Sequence, residues 1–201
     1  MGLTFLQREL ENFMDEPLYD ISRVNPRIIL DIKYATADNF VGKPIYTCAK
    51  AYLRKSVALK LDRVQQKLEK KGLGLKIWDA YRPFYVQQLL WGIVPDERYV
   101  ADPKKGSVHN RGAAVDLTLV DAQGCELAMP TAFDDFTKKA HLDYEDLPEE
   151  VLSNRKLLVA VMVAEGFTPL ATEWWHYNDS AAEAYPLSST TFEELAAQDP
   201  S

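Results

Sequence analysis

The spacing of apolar residues along the chain constrains its fold most, because it predicts a few short strands among longer helices. The clearest helical segment starts at the predicted N-cap Ser56 and ends at Gly72, and a second runs from the predicted N-cap Ser153 to Gly166. A third helix is predicted to begin at Pro83, and strands are predicted over 27–34, 73–83, 113–121 and 171–178. Because strands and helices do not alternate regularly, we predict an α+β fold with a small antiparallel central sheet and flanking helices.

The length indicates a single domain. A chain of 201 residues can bury one core of ordinary size. It contains no internal repeat, Gly/Ser linker or charge block that would mark a boundary. We therefore predict one domain over 1–201 with its core at about 27–187. A short amphipathic helix ending near Met14 and a polar tail from about Ser188 are expected at the periphery.

Composition and charge exclude several classes of partner. Hydrophobic residues make up 47% of the chain and charged residues 26%, as in a globular protein. A formal net charge of -7 without a dense basic run argues against nucleic acid and anionic membranes. The amino-terminal sequence lacks the pattern of a secretory signal, and no stretch reaches the roughly 18 apolar residues of a membrane helix. We therefore expect a cytoplasmic protein in which Cys48 and Cys125 are free thiols.

Two clusters of histidine and carboxylate carry the candidate chemistry. In the first, His109 lies in a polar turn and Asp116 follows on the polar face of the next strand. In the second, Glu173 precedes His176 by three residues, while the third histidine, His141, lies in a polar run and is expected to be solvated. Zinc accepts imidazole and carboxylate ligands, and a catalytic zinc typically uses three protein ligands and leaves a fourth position for water. His109, Asp116 and His176 would form such a set, with Glu173 left over.

The spacing between Glu173 and His176 sets a condition on this site. A regular strand would turn the two side chains to opposite faces, so Glu173 must lie in a turn or bulge before the strand. There it would hydrogen-bond the zinc-bound water and act as a general base. The plainer alternative, a histidine that only hydrogen-bonds a neighbouring carboxylate, stays open for either cluster alone. Of Trp174 and Trp175, at least one is expected in the core, because adjacent residues of a strand face opposite sides.

Three sequence motifs together carry a resemblance to a known family. The SVHNRGAAVDLTL segment with its H-x6-D spacing, the EWWH element and the DAYRP element resemble the zinc-dependent D-alanyl-D-alanine dipeptidases of the VanX type. The resemblance covers about 34–177, most of the chain. It implies a hedgehog-like α+β fold and one zinc ion per chain, held by His109, Asp116 and His176. It also implies that Glu173 is the catalytic base.

The same resemblance implies which residues contact the substrate. Arg82 would stabilise the negative charge that develops on the scissile carbonyl oxygen, a role that suits a permanently charged group with several donors. A salt bridge from Arg82 to Asp79 is the alternative. Asp134 would receive the free ammonium of a dipeptide. Tyr34 and Ser107 match residues beside the substrate and beside the zinc histidine.

The function expected from these residues is hydrolysis of a small dipeptide, D-Ala-D-Ala above all, by a zinc metallopeptidase. One departure affects the carboxyl end of the substrate: Val108 stands where the type members have a serine, and valine cannot donate a hydrogen bond. One alternative is a carboxypeptidase or endopeptidase that acts on peptidoglycan peptides. Another is a non-catalytic, zinc-stabilised binding module. The sequence does not fix the oligomeric state.

Overall fold

The structure, a computed structural model, describes residues 16–97 and 99–198, so the predicted helix near Met14 lies outside it. The strands are β1 (Leu18–Asp20), β2 (Ile29–Leu30), β3 (Tyr52–Arg54), β4 (Leu73–Asp79), β5 (Ala114–Asp121), β6 (Phe167–Leu170) and β7 (Glu173–Asp179). The helices are α1 (Ile21–Val24), α2 (Lys55–Glu69), α3 (Phe84–Ile93), α4 (Glu149–Val163) and α5 (Phe192–Gln198). Short 3-10 turns occupy Lys33–Ala35, His109–Arg111, Lys138–Ala140 and Ala182–Ala184.

A five-stranded sheet with the order β2-β4-β5-β7-β6 forms the centre of the fold. Strands β4, β5, β7 and β6 pair antiparallel, whereas the two-residue β2 pairs parallel with β4 at one edge. Strands β1 and β3 form a separate antiparallel ribbon. The predicted α+β class is confirmed, and the sheet adds one short parallel pairing to the antiparallel arrangement.

The middle strand β5 has a packing face and a polar face, and both are buried. Val115, Leu117 and Leu119 belong to the hydrophobic core. Helices α2 and α4 contact each other and pack against β4 and β6. The opposite face of β5 carries Asp116 and Thr118, which are also buried. Burying polar side chains costs free energy unless they find partners. We therefore expect these residues to serve a function other than packing.

Both long helices begin earlier than the sequence predicts. Helix α2 starts one residue before Ser56, and the carboxylate of the distant Glu16 accepts the Ser56 backbone N–H. Helix α4 starts at Glu149, so the predicted N-cap Ser153 lies inside the helix. The acidic residues in its first turn favour the earlier start, because negative charge is stabilised at a helix N-terminus.

The predicted strand over 27–34 is largely a turn. Only Ile29–Leu30 pairs as a strand, and Lys33–Ala35 forms a 3-10 turn. The carbonyl of Tyr34 accepts the backbone N–H groups of residues 45 and 46 at 2.8 and 2.9 Å. These two hydrogen bonds reverse the chain and fix Tyr34 instead of extending the sheet.

The C-terminal helix α5 is part of the core. Phe192 is buried, and its ring centroid lies 4.8 Å from that of Tyr46. The hydroxyl of Tyr81 donates to the carbonyl of Thr190 at 2.8 Å and ties the preceding segment down. The core therefore extends beyond residue 187, where the sequence predicts its end and a peripheral tail begins.

Among the described residues, no helix combines the length and the apolar character that crossing a membrane requires. The cytoplasmic location stays a prediction from the sequence.

Candidate active site

The first feature of the site is a buried cluster of two histidines and one aspartate. Asp116 on β5 and His176 on β7 are direct cross-strand neighbours, and His109 lies in the 3-10 turn that precedes β5. His176 Nδ1 lies 2.9 Å from Asp116 Oδ1 and 3.2 Å from His109 Nε2. His109 Nε2 lies 3.4 Å from Asp116 Oδ2. The antiparallel register of β5 and β7 thus brings together residues 60 positions apart in the sequence.

The outer nitrogen of each imidazole has a fixed partner, which sets the orientation of both rings. His109 Nδ1 donates to the carbonyl oxygen of Ala80 at 2.6 Å. His176 Nε2 donates to the side-chain oxygen of Asn178 at 2.8 Å. A neutral imidazole carries one N–H and one lone pair, so the inner nitrogens, His109 Nε2 and His176 Nδ1, present lone pairs toward Asp116. Such hydrogen bonds to the outer nitrogen are typical of histidines that bind metals.

This arrangement demands a cation. The three side chains offer ligand atoms that all lie within 4.8 Å of one another. Two lone pairs and a carboxylate that face each other repel unless a proton or a metal ion lies among them. Donor atoms around a tetrahedral zinc ion lie about 3.3 Å apart, given bond lengths of about 2.0–2.1 Å. The observed separations of 2.9, 3.2 and 3.4 Å therefore fit a metal ion with nitrogen and oxygen ligands.

The pKa values within the cluster reflect the same demand. Burial alone would favour the neutral form of Asp116. The charges of His109 and His176 and their hydrogen bonds to the carboxylate outweigh this effect, and they hold the pKa of Asp116 well below the usual range. Burial also disfavours the charged form of His176, yet the hydrogen bond to Asp116 and its charge raise the pKa of His176 to about 9. Without a metal, a proton on His176 thus supplies the positive charge. A metal ion that binds here would displace that proton.

Glu173 lies at the start of β7, where the pairing with β6 is irregular. Pro169 pairs with Tyr177, but the next residue, Leu170, pairs with Glu173, so β7 bulges between these positions. The sequence predicts a turn or bulge before the strand; the structure has the irregularity inside the strand, with Glu173 as its first residue. Burial raises the pKa of the Glu173 carboxyl, an effect that the charge of His176 partly offsets. A carboxyl with a raised pKa is suited to exchange protons near neutral pH.

Arg82 makes the predicted ion pair with Asp79 and also faces the site. Its Nη2 and Nε donate to Asp79 Oδ2 at 2.7 and 3.1 Å, and its Nη1 donates to Gln87 Oε1 at 3.0 Å. The guanidinium carbon lies 5.3 Å from the ring centroid of Tyr34. A guanidinium has five N–H groups, and the hydrogen bonds to Asp79, Gln87 and Tyr46 do not use all of them. The salt bridge therefore orients Arg82 rather than competing with a role in the site.

The turn that carries Arg82 is tied to the turn that carries His109. The Arg82 N–H donates to the carbonyl of His109 at 3.1 Å. The side chain of Asn110 donates to the carbonyl of Arg82 at 2.7 Å and accepts the N–H of Ser107 at 2.8 Å. The hydroxyl of Ser107 accepts the His109 N–H at 3.2 Å. With the bond from His109 to Ala80, these contacts make the two turns one unit.

Asp134 and Tyr34, both predicted as substrate contacts, contact each other. The Tyr34 hydroxyl lies 3.2 and 3.4 Å from the two carboxylate oxygens of Asp134. Asp134 has a φ of 58°, in the left-handed region that few residues other than glycine adopt. Burial and the charge of Asp116 raise the pKa of Asp134 to about 8, although Arg82 and Tyr34 act in the opposite direction. A positively charged group placed beside Asp134 would relieve this unfavourable position.

All eight predicted site residues line one cavity of about 240 Å³; these are Tyr34, Arg82, Ser107, His109, Asp116, Asp134, Glu173 and His176. Pockets for drug-sized ligands measure about 300–1,000 Å³, so this cavity suits a smaller molecule. Trp175 and Val108 also line it, and Trp174 is buried beside Thr131. Both tryptophans are buried, in agreement with the prediction that at least one is.

Sequence reasoning missed the residues that hold the functional side chains in place. Asn178 could have been found, because it follows His176 by two positions on a strand and so shares its face. Gln87 on α3 and Asn110 offered no such signal, since their contacts depend on how two turns meet. Asp79 was considered only as an alternative partner for Arg82, whereas it supports that residue within the site.

Comparison with known proteins agrees with this geometry. Residues 14–195 match the sequence profile of the peptidase M15 family, described as D-Ala-D-Ala dipeptidase. The chain belongs to the peptidase M15 family. A D-alanyl-D-alanine dipeptidase of Escherichia coli K12 is 39% identical over 175 residues, which cover 87% of this chain and 91% of that protein. One of Streptomyces coelicolor is 37% identical over 171 residues, which cover 73% of this chain and 83% of that protein.

Among solved structures, the LdcB LD-carboxypeptidase is similar with a TM-score of 0.46 and 18% sequence identity. The match covers 86% of this chain and 73% of that one. Membership of the M15 family and the cluster of His109, Asp116 and His176 together indicate a metal site in this chain.

Proposed function

We propose that this M15 peptidase is a zinc-dependent dipeptidase that hydrolyses D-Ala-D-Ala to two D-alanines. The observation that carries the proposal is a single small cavity lined by three metal-ligand side chains, a half-buried glutamate, a buried arginine and a half-buried aspartate. Metal ligands alone would suit a structural site. The additional acid and cation, which the ligand set does not need, favour catalysis over a non-catalytic binding module.

The residues that would hold the zinc ion are His109 through Nε2, His176 through Nδ1 and Asp116 through its carboxylate. Three protein ligands of this kind leave a position for water or substrate. When bound, zinc would supply a Lewis acid that polarises the scissile carbonyl and lowers the pKa of a water molecule. Ala80 and Asn178 keep both imidazoles in the tautomer that can bind.

Glu173 would act as the general base. It lines the same cavity as the three ligands, and its raised pKa brings it closer to that of a water molecule activated near neutral pH. The carboxylate would take the proton as water attacks the carbonyl carbon. It would then pass that proton to the amine that leaves.

Arg82 would stabilise the oxygen that becomes negatively charged during the attack. Asp79 and Gln87 fix the guanidinium, so an N–H group that they do not use needs no reorganisation when charge develops. Fixed donors of this kind commonly lower a barrier by about 3–4 kcal/mol.

Asp134 and Tyr34 would bind the amino end of the substrate. A carboxylate surrounded by other acids gains from the ammonium of a free dipeptide, and an acylated amine cannot supply that charge. Ser107 would contact the carboxyl end, because its hydroxyl accepts the His109 N–H and keeps its own hydrogen for donation. Val108 beside it cannot donate, so we expect weaker selection at that end.

A hydrolysis panel tests the proposal. D-Ala-D-Ala, L-Ala-L-Ala and N-acetyl-D-Ala-D-Ala are compared in the zinc-loaded protein and after chelation. We expect cleavage of the free D-dipeptide that stops on chelation and returns with zinc. Acetylation should lower kcat/KM by about 30-fold to several thousand-fold. This range corresponds to the loss of one charge-assisted contact of about 2–5 kcal/mol. Comparable rates on free and acetylated substrates would instead identify a carboxypeptidase, and no hydrolysis with zinc bound would favour a binding module.

A further inference from the structure

A second cavity lies beside the catalytic cavity. It measures about 530 Å³ and is more than twice as large as the catalytic one. Among the described residues, only Phe40 and Asp134 line both cavities. These two side chains therefore form the partition between the two spaces.

The Phe40 side of the partition is held rigidly. The amide of Asn39 donates to three backbone carbonyls of its own loop and accepts two backbone N–H groups, which fixes the turn that carries Phe40. The Phe40 ring packs edge-on against Tyr34 and Phe136, with centroids 6.3 and 5.8 Å away. An aromatic ring fixed in this way blocks passage, because it cannot turn aside without breaking these contacts.

The wall of the second cavity next to Phe40 is aromatic. Trp78 and Phe133 both line this cavity, and their ring centroids lie 5.4 Å apart. The Phe133 ring also packs edge-on against Tyr34 at 5.8 Å. The second cavity therefore has a preformed apolar wall on the side nearest the catalytic cavity.

We propose that Phe40 determines the length of the substrate by closing the amino-terminal end of the catalytic cavity. The inference rests on the proposed function, in which Asp134 marks the position of the substrate's amino group. Asp134 and Phe40 line both cavities, so a residue added before that amino group reaches the second cavity past Phe40. With the ring removed, the second cavity would accept the extension.

The test compares a dipeptide with a tripeptide as substrates. The variants separate the effect of the Phe40 ring's volume from the effect of the Asp134 charge. The substrates are D-Ala-D-Ala and L-Ala-D-Ala-D-Ala, both followed by release of D-alanine. The variants Phe40→Ala and Val100→Ala are made in an Asp134→Asn background, so that an unpaired carboxylate does not oppose the longer substrate. Val100 is the matched control, because it lines the catalytic cavity but not the second one.

Phe40→Ala should raise the ratio of kcat/KM for the tripeptide to that for the dipeptide by at least about tenfold, the lower end of what a pocket wall contributes to discrimination. Val100→Ala should leave the ratio unchanged, because Val100 does not line the second cavity. If Phe40→Ala does not fold, Phe40→Leu should raise the ratio in the same direction by less.

An unchanged ratio in the Phe40 variants, or an equal rise in Val100→Ala, would overturn the inference. Failure of the unmodified enzyme to cleave the dipeptide would instead overturn the proposed function.

Discussion

The two ends of the catalytic cavity are built differently, although each centres on an aspartate. At the metal end, the buried Asp116 lies on the central sheet between two histidines, and its pKa falls below the usual range. At the amino end, the half-buried Asp134 lies on a loop with a left-handed backbone, and its pKa rises to about 8. The residue type is the same, but Asp116 contacts two histidines whereas the charges of Asp116 and Glu173 act against ionisation of Asp134. The metal end is completed by a bound cation, and the amino end by the ammonium of a substrate.

This contrast separates chemistry from selectivity. Strands β5 and β7 carry Asp116, Glu173 and His176, and loops carry the groups that would choose the substrate. Substitutions at the metal end should therefore affect the metal and turnover. Substitutions at the amino end should affect substrate choice and should even stabilise the fold.

The largest effect is expected from His176→Ala at the metal end. Loss of one of three ligands should abolish metal binding, and D-alanine release should fall to background. Metal content per chain and turnover of D-Ala-D-Ala are measured on the same preparations. His141→Ala is the matched control, since His141 is not among the residues that line the cavity. A His176→Ala protein that kept both metal and activity would remove His176 from the ligand set.

Glu173→Gln should separate catalysis from metal binding. The amide keeps the size of the side chain but cannot accept the proton, so kcat should fall by about 10²–10⁴-fold. Metal content should stay at the level of the unmodified protein, because Glu173 lies outside the ligand cluster. If the metal were lost as completely as in His176→Ala, the division of roles between the two residues would be wrong.

Asn178→Leu tests whether the metal end depends on support from outside the ligand set. Leucine keeps the volume but removes the oxygen that accepts the His176 Nε2 hydrogen. Metal affinity should weaken by about 10–100-fold, as for other outer partners of ligand histidines. Competition with a chelator of known affinity measures the change, and an unaltered affinity would show that the sheet alone orients the ring.

The smallest effect concerns stability at the amino end. The pKa of Asp134 is raised on folding, so the folded protein retains a proton that the unfolded chain has released, and stability falls as pH rises from about 4 to about 8. The Asp134→Asn variant has no carboxyl to titrate here, so it does not lose stability in this pH range. Asparagine also tolerates a positive φ. The variant should melt a few °C higher than the metal-free unmodified protein at pH 8, since about 1 kcal/mol corresponds to 2–4 °C in a chain of this size.

Thermal unfolding of chelator-treated protein at pH 4 to 8 measures this difference, which should shrink toward pH 4. A gap that widened toward acid pH would contradict the sign of the effect.

The metal end could be predicted from the sequence, and the amino end only in part. With three histidines in the chain, the H-x6-D and EWWH motifs left few ways to assemble a ligand set. Asp134 and Tyr34 were reached through family resemblance, because a loop aspartate has no pattern of its own. Phe40 gave no signal, since an apolar loop residue looks the same whether it packs or partitions two cavities. The backbone carbonyl of Ala80 could not be predicted either, because any residue supplies that acceptor.

The same limit applies to the fold. Period-2 alternation correctly placed β5, whose bounds depend on its own residues. The start of α2 depends on Glu16, some 40 positions earlier, and no local pattern reveals such a partner. The burial of Phe192 depends equally on distant aromatic residues, which is why the core reaches further than predicted.

The hydrogen bonds that join the turns of His109 and Arg82 also connect two binding events. A cation at His109 and an anion at Arg82 bind to one connected unit, and their opposite charges attract each other across it. Binding free energies are reciprocal, and charge held by Arg82 must therefore tighten the cation by the same factor. We expect the protein to retain its metal more strongly with an anionic transition-state analogue than at rest, and chelators to inactivate it fastest between catalytic cycles.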